Sequence, residues 1–281
     1  MNFEQMRVLA WYYLKGTVAM RILAPLDAVL RPGLRRERAR RWATLREAVA
    51  GHDSWLVVGN GPSLKIEDLE ALGHIPAVAS NKINLLFNRT SWRPRLFTIA
   101  DSLLIHKLPT EHYEDFAEVL LPDRYAYMCH AARPLHWHFL TDEEAERKYV
   151  EGTEVLAPDN GFFVGSTVTV ANIQLAIWAG AKRVYLIGVD HSYKREQAIG
   201  GVNRASHAGG SDHFDPNYRK PGEIVGLASI DRMERSYHNI RLLAEKRGVE
   251  VINITRTSML EIFKRGTVEE AIAASRSGAE G

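Results

Sequence analysis

Four short apolar runs along this chain each end in small or hydrogen-bonding residues, and this pattern narrows the possible folds most. Trp55-Leu56-Val57-Val58 runs into Gly59-Asn60-Gly61-Pro62-Ser63, and Ala77-Val78-Ala79 into Ser80-Asn81. Leu96 to Ala100 runs into Asp101-Ser102, and Arg183 to Ile187 into Gly188-Val189-Asp190. Short continuous apolar runs read as strands buried on both faces, as in a parallel sheet. Helical stretches lie between them: Leu64 to Leu72, closed by Gly73, and Thr167 to Ala179, closed by Gly180. The alternation predicts an α/β fold, a mostly parallel sheet with helices on both faces. Further strands are expected at 125–129 and 249–252, and further helices at 227–247 and 258–264. No internal repeat is visible.

At 281 residues, 46% apolar and 25% charged, the chain has the composition of an ordinary globular protein of one large domain with an appendage. A single cysteine, Cys129, excludes a disulfide scaffold and a cysteine-based zinc site, and fits a reducing compartment. Charge is unevenly placed. Residues 1–50 hold ten Lys/Arg against four Asp/Glu, whereas the body is slightly acidic. A basic recognition surface on the folded domain is missing from this balance, so nucleic acid is not an expected partner.

The first fifty residues read as a basic helical arm. An apolar stretch from Val8 to Leu30 is broken by Lys15, Arg21 and Asp27, too short for the ~18 residues of a membrane span. A second helix over 34–49 carries Arg35, Arg36, Arg38, Arg40, Arg41 and Arg46. Two readings stay open: a surface anchor on anionic membrane through residues 1–45, or a packing element on the body or on a second copy of the chain. The expected location is cytoplasmic, at most peripheral on the inner face of the inner membrane. Residues 51–270 form the expected ligand-binding domain, with a long loop at 191–225, and 271–281 a flexible tail.

In an open parallel sheet, ligands bind beyond the carboxyl ends of the strands. The four strand ends therefore converge on one expected cleft. Gly59, Asn60, Gly61 and Ser63 form the sharpest motif, in which glycines permit close backbone approach and Pro-Ser opens a helix. It is neither the dinucleotide fingerprint, since Leu64 replaces the third glycine, nor a P-loop. A tight strand-to-helix turn is the alternative reading. Asn81, Asp190 and Tyr193 are expected in the same cleft. Ser166 and Thr167 either bind phosphate or cap the helix that follows. Of eleven histidines, His191, His207 and His213 fall in the long loop, and His213 is the expected general base. His136-Trp137-His138 has no second ligand pair at a metal-binding spacing.

Val57 to Leu64, Ser80-Asn81, Phe97 to Asp101, and Gly165-Ser166-Thr167 through Gly188-Val189-Asp190 resemble one superfamily over residues 54–255. It comprises bacterial lipo-oligosaccharide sialyltransferases, motility-associated flagellin glycosyltransferases and 6-hydroxymethylpterin pyrophosphokinase-like proteins. The resemblance implies a Rossmann-like fold of the variant GT-A kind that binds a nucleotide across the strand ends. It further implies a CMP-activated acidic sugar as donor, a glycan acceptor, no required cofactor, and a loop histidine as base. Carried over by position, Asn60 and Gly61 would hold the nucleotide, Asn81 the base or ribose, and Asp190 with Tyr193 the same pocket. Three positions depart from the pattern. The base position reads Asn217, with His213 four residues earlier. Asp101 replaces an asparagine, and Phe162-Phe163-Val164 stand where an arginine is found. The first two would suit a metal-dependent reaction, in which Asp101 and Asp190 hold Mg²⁺ as in a pterin-type pyrophosphokinase. A non-catalytic nucleotide-sugar binding module is the third alternative.

Overall fold

The computed structural model describes residue 14 and residues 32–192, 204–206, 212–226 and 229–277. Its centre is an eight-stranded sheet in the order β12-β11-β8-β1-β2-β3-β4-β5, with every pairing parallel. The strands are β1 Ser54–Val58, β2 Ala77–Ser80, β3 Leu96–Thr98, β4 Val119–Pro122, β5 Leu135–Trp137, β8 Arg183–Ile187, β11 Glu250–Asn253 and β12 Lys264–Arg265. Two short pairs lie outside it: β6 Phe139–Leu140 with β7 Phe162–Phe163, and β9 Arg204–Ser206 antiparallel to β10 Ile224–Gly226. The chain moves outward from β1 to β5, then returns to place β8 against the other side of β1. That reversal makes the β1/β8 boundary the topological switch point, where such sheets leave a crevice.

Alternate residues of one strand serve two cores. Trp55 and Val57 of β1 belong to one cluster, Leu56 and Val58 to the other, and all four are fully buried. This two-sided burial is why the strand shows no polar alternation. One face is covered mainly by the helices Val168–Ala179 and Ile230–Lys246. The first is buried along nearly its whole length and ends at Gly180, whose φ of 107° suits glycine. The opposite face is covered by the shorter helices Ile66–Ala71, Ser102–Lys107 and Val268–Ser277.

Three expectations are corrected. Residues 123–128 form a 3₁₀ helix, and the strand lies just before it at Val119–Pro122. No helix forms over 258–264. There Asn253 Nδ2 holds Ser258 Oγ at 3.0 Å and the carbonyl of Leu260 at 3.1 Å, and the segment ends by adding β12 to the sheet edge. The tail expected from 271 onward is helical through Ser277. Thr267 and Glu270 cap it reciprocally, Glu270 N to Thr267 Oγ1 at 3.1 Å and Thr267 N to Glu270 Oε2 at 2.8 Å. The long loop also contains β9 and β10.

Of the N-terminal arm, the described part is the helix Pro32–Val49, and it packs on the body. Trp42 is 5% exposed, meets Trp178 edge-to-face at 5.1 Å, and donates to the His136 carbonyl. Arg41 pairs with Glu118 at 2.5 Å, and Arg46 lies over the Trp178 ring. Several arginines that read as a lipid-facing run thus serve protein contacts, while Arg35, Arg36 and Arg40 remain exposed. The apolar stretch 8–30 lies outside the described residues apart from Leu14. Among the described residues, no helix is long and apolar enough to cross a membrane.

This junction carries a pH prediction. Arg38 Nη1 donates to His136 Nδ1 at 3.0 Å, which requires a neutral, accepting imidazole. Burial, reinforced by the charge of Arg38, lowers the His136 pKa to about 4. The unfolded chain takes up this proton near pH 6.5, so the unfolded state binds more protons between roughly pH 6.5 and 4. Stability from this group is therefore complete above that window and is lost as pH falls through it, by up to about 1.4 kcal/mol per pH unit. Urea unfolding of wild type and His136→Gln across pH 4–7 checks this. Parallel curves for the two proteins would refute it.

Candidate functional site

The loop after β1 is shaped by the protein's own neighbouring strand. Gly59 N donates to the Ile187 carbonyl and Gly61 N to the Gly188 carbonyl, each at 2.8 Å, continuing the β1–β8 ladder past the strand ends. A Cβ on Gly59 would lie 2.3 Å from Gly188 O, and one on Gly61 would lie 1.8 Å from Asp190 Oδ2. The glycines are thus required by close packing within the protein. Asp190 straps the loop from the β8 side, accepting from Ser63 N at 3.2 Å and Ser63 Oγ at 2.9 Å, with Thr257 Oγ1 at 3.5 Å. Burial raises its pKa and the Ser63 donors oppose the rise. The backbone amides of Gly61 and Ser63, in the loop expected to hold the nucleotide, already have acceptors within the protein.

The strand ends do meet in one cleft of about 310 Å³. Gly59, Asn60, Gly61, Asn81, Asp101, Ser166, Thr167, Asp190, His191 and His213 all line it. Ser63 stands behind it through its bonds to Asp190. Tyr193 and His207 lie outside the described residues. The volume falls at the lower end of the roughly 300–1,000 Å³ range of small-molecule sites.

Two residues on this wall hold left-handed backbone without being glycine: Asn81 at φ 61° and His191 at φ 56°. Asn81 is fixed in place from outside the cleft, since the His112 ring nitrogen Nε2 donates to its carbonyl at 2.9 Å. Burial lowers the His112 pKa, which keeps that ring neutral. Asn60 Nδ2 donates to the Ser80 carbonyl at 3.2 Å, tying the first two strand ends together. Both side-chain oxygens, Asn60 Oδ1 and Asn81 Oδ1, are buried and have no hydrogen-bond partner among the described residues. A buried acceptor without a donor is costly, and two on one cleft wall mark a place where a ligand's donors fit.

The remaining candidates divide by task. Thr167 caps the helix Val168–Ala179, its Oγ1 accepting from Thr169 N at 3.3 Å, and its side chain also bonds the Tyr237 hydroxyl. That leaves Ser166 at the helix entrance. Asp101 caps the helix Ser102–Lys107, with Oδ1 accepting from Leu103 N at 2.9 Å and Leu104 N at 3.2 Å. The helix requirement alone therefore accounts for an aspartate there. Asp101 and Asp190, the carboxylates that would hold Mg²⁺ in the alternative, metal-dependent reading, each have these protein partners. Among the described residues no three His, Cys, Asp or Glu side chains gather at one point. His136 and His138 bond to Arg38 and Asp123 respectively.

Residues 212–226 lie over the cleft as a lid. Phe214 N donates to the Asn60 carbonyl at 3.1 Å, Lys82 Nζ to the Tyr218 carbonyl at 2.5 Å, and Arg89 pairs with Asp215 at 3.3 Å. Tyr218 is 3% exposed, and His213 stacks on its ring at 3.8 Å and 9°. Of the two positions weighed for the base, His213 lines the cleft, whereas Asn217 is exposed with its amide tied to Asp215 Oδ1 at 2.8 Å. Under the lid the cleft adjoins an annex of about 50 Å³ lined by Lys82, Lys107, Arg219 and Glu223. Sequence reasoning missed Lys82, Tyr218, Arg219, Thr257 and His112. Only Lys82, directly after the Ser80-Asn81 strand end, sat where a local signal existed.

No protein-family model and no curated protein matches the chain. A solved structure, the MAf glycosyltransferase from Magnetospirillum magneticum AMB-1, is similar with a TM-score of 0.43 at 16% identity. The alignment covers 82% of this chain and 38% of that one, so the chain spans well under half of that protein's length.

Proposed function

We propose that the protein is a glycosyltransferase that takes a sugar from a nucleotide donor, a CMP-linked acidic sugar, and places it on a hydroxyl of a cell-envelope glycan. The observation that carries the nucleotide half is the pair Asn60 and Asn81. Their unpartnered amide oxygens sit on the wall of the switch-point cleft. Donors from a base amine and ribose hydroxyls fit such acceptors. The transfer half is supported by the motif resemblance of residues 57–64 and 183–190, and by a histidine in the lid. In the reaction, the acceptor oxygen forms a bond to the anomeric carbon while the bond from that carbon to the phosphate oxygen breaks, its electron pair leaving with the phosphate. His213 takes the acceptor proton. Ser166, at the entrance of the helix Val168–Ala179, stabilises the leaving phosphate through its hydroxyl, together with the helix dipole.

A thermal-shift panel with CMP, CDP, UDP, GDP and ATP, each with and without Mg²⁺, tests the nucleotide half. A ligand at a hundredfold excess over its Kd stabilises the native state by about 2.7 kcal/mol. Asn81→Gly keeps the left-handed backbone while removing the amide, and Asn60→Ala removes the other. Each is expected to weaken nucleotide binding about three- to tenfold, as for one lost hydrogen bond. A panel with no shift, or variants that bind as wild type does, would overturn the assignment.

A further inference from the structure

The annex beneath the lid is a cation cluster that the leaving-phosphate site does not use. Lys82 follows β2, Lys107 ends the helix Ser102–Lys107, and Arg219 comes from the lid, so three separate elements deliver positive charge to one small space. Burial lowers the Lys82 pKa, and the charges of Arg219, Lys107 and Lys220 push the same way. Glu223 opposes them, 3.5 Å from Lys107, and Asp101 lines the same space with its Oδ1 held by the helix amides. Lys82 is spent on the Tyr218 carbonyl at 2.5 Å. Arg219 differs from both lysines. It is half-buried, lines the cleft and the annex alike, and has no ion pair or hydrogen bond among the described residues.

A guanidinium that lines a cleft is well shaped for two-pronged contact with a carboxylate or phosphate. The helix entrance at Ser166 lies on the sheet face covered by the Val168–Ala179 helix, whereas Lys107 comes from a helix on the opposite face. Ser166 and Lys107 therefore come from opposite faces of the sheet, while Arg219 lines the cleft as well as the annex. A donor with one phosphate and a neutral sugar would fill only the helix entrance.

We infer that the annex, with Arg219 as its principal contact and Lys82 beside it, binds a second anionic group of the substrate, a carboxylate or a further phosphate. This rests on the nucleotide reading above and assigns the residues that meet the donor's second negative group. In such a donor the lid closes on the charge, because Arg219 is part of the lid itself.

The test compares wild type and Arg219→Gln by calorimetric titration with four probes: CMP, CDP, inorganic phosphate and N-acetylneuraminate. Lys82→Gln is measured beside them, but it also loses the lid contact, so Arg219→Gln decides. Affinity for either CDP or N-acetylneuraminate is expected to fall at least tenfold in Arg219→Gln, with CMP changed less than twofold. Loss for CDP alone identifies a second phosphate, and loss for the acidic sugar alone identifies a carboxylate. Equal affinities of the two proteins for every probe that binds, or phosphate as the only anion bound, would overturn the subsite. A CMP affinity unchanged in that case leaves the nucleotide reading standing. If no nucleotide binds either protein, that reading fails separately, and N-acetylneuraminate then decides the subsite alone.

Discussion

Gly61→Ala is expected to cost about 3 kcal/mol of stability or to prevent folding, at the upper end of what overpacking does. The added Cβ meets two obstacles of different kinds. Asp190 Oδ2 at 1.8 Å belongs to a side chain that can move, but moving it abandons both bonds to Ser63 and leaves a buried carboxylate short of donors. Gly188 O at 2.8 Å is backbone held in the sheet, and Gly61 N bonds to that same oxygen. Neither can yield without disturbing the β1–β8 junction around which the whole sheet is ordered. Urea denaturation of Gly61→Ala, Asp190→Ala and the double variant measures the effect. Because the two residues share one contact, the double variant is expected to lose less than the sum of the singles. A wild-type midpoint for Gly61→Ala would mean that the loop is free to move, and its glycines would then answer to a ligand.

His213→Ala is expected to lower turnover at least ~10²-fold, the usual cost of losing a general base, with nucleotide affinity little changed. His213 lines the cleft and is braced by its stack on the buried Tyr218, which holds the imidazole at a set angle. His191 lines the same cleft, but burial lowers its pKa and its ring packs against Tyr237 at 5.7 Å, so His191→Ala is expected to cost less. The comparison needs kcat and KM for wild type and both variants with one donor. Full activity of His213→Ala would remove this residue from the chemistry. A larger loss in His191→Ala would transfer the role to the residue at φ 56°.

The switch-point cleft was legible in the sequence because buried parallel strands advertise themselves twice. Their interiors are continuously apolar, as in Trp55 to Val58, and their ends switch abruptly to Gly, Asn, Ser and Asp. Those two signals located the sheet-edge wall of the cleft. Short elements were less legible. Val119–Pro122 lies one strand in from the sheet edge, and its few residues carry too short a pattern to separate it from the 3₁₀ helix beside it. The final helix was legible in principle through the Thr267–Glu270 capping pair, but its alanines read as a loose tail.

What each polar residue does was a different matter. Residue type and spacing determined that Gly59, Gly61, Asp101, Thr167 and Asp190 would gather at the carboxyl edge of the sheet, since strand periodicity and parallel topology leave them nowhere else to go. Tertiary structure alone decided that Gly61 faces Asp190, that Asp101 and Thr167 cap helices, and that Asn60 and Asn81 keep unpartnered oxygens. It alone brought Arg219 from the lid to Lys82, 137 positions earlier in the chain. The physical reason is range. Backbone periodicity and turn chemistry act over a few residues and are written locally, whereas the partner of a carboxylate or guanidinium is set by which distant segments the folded sheet brings within about 3 Å.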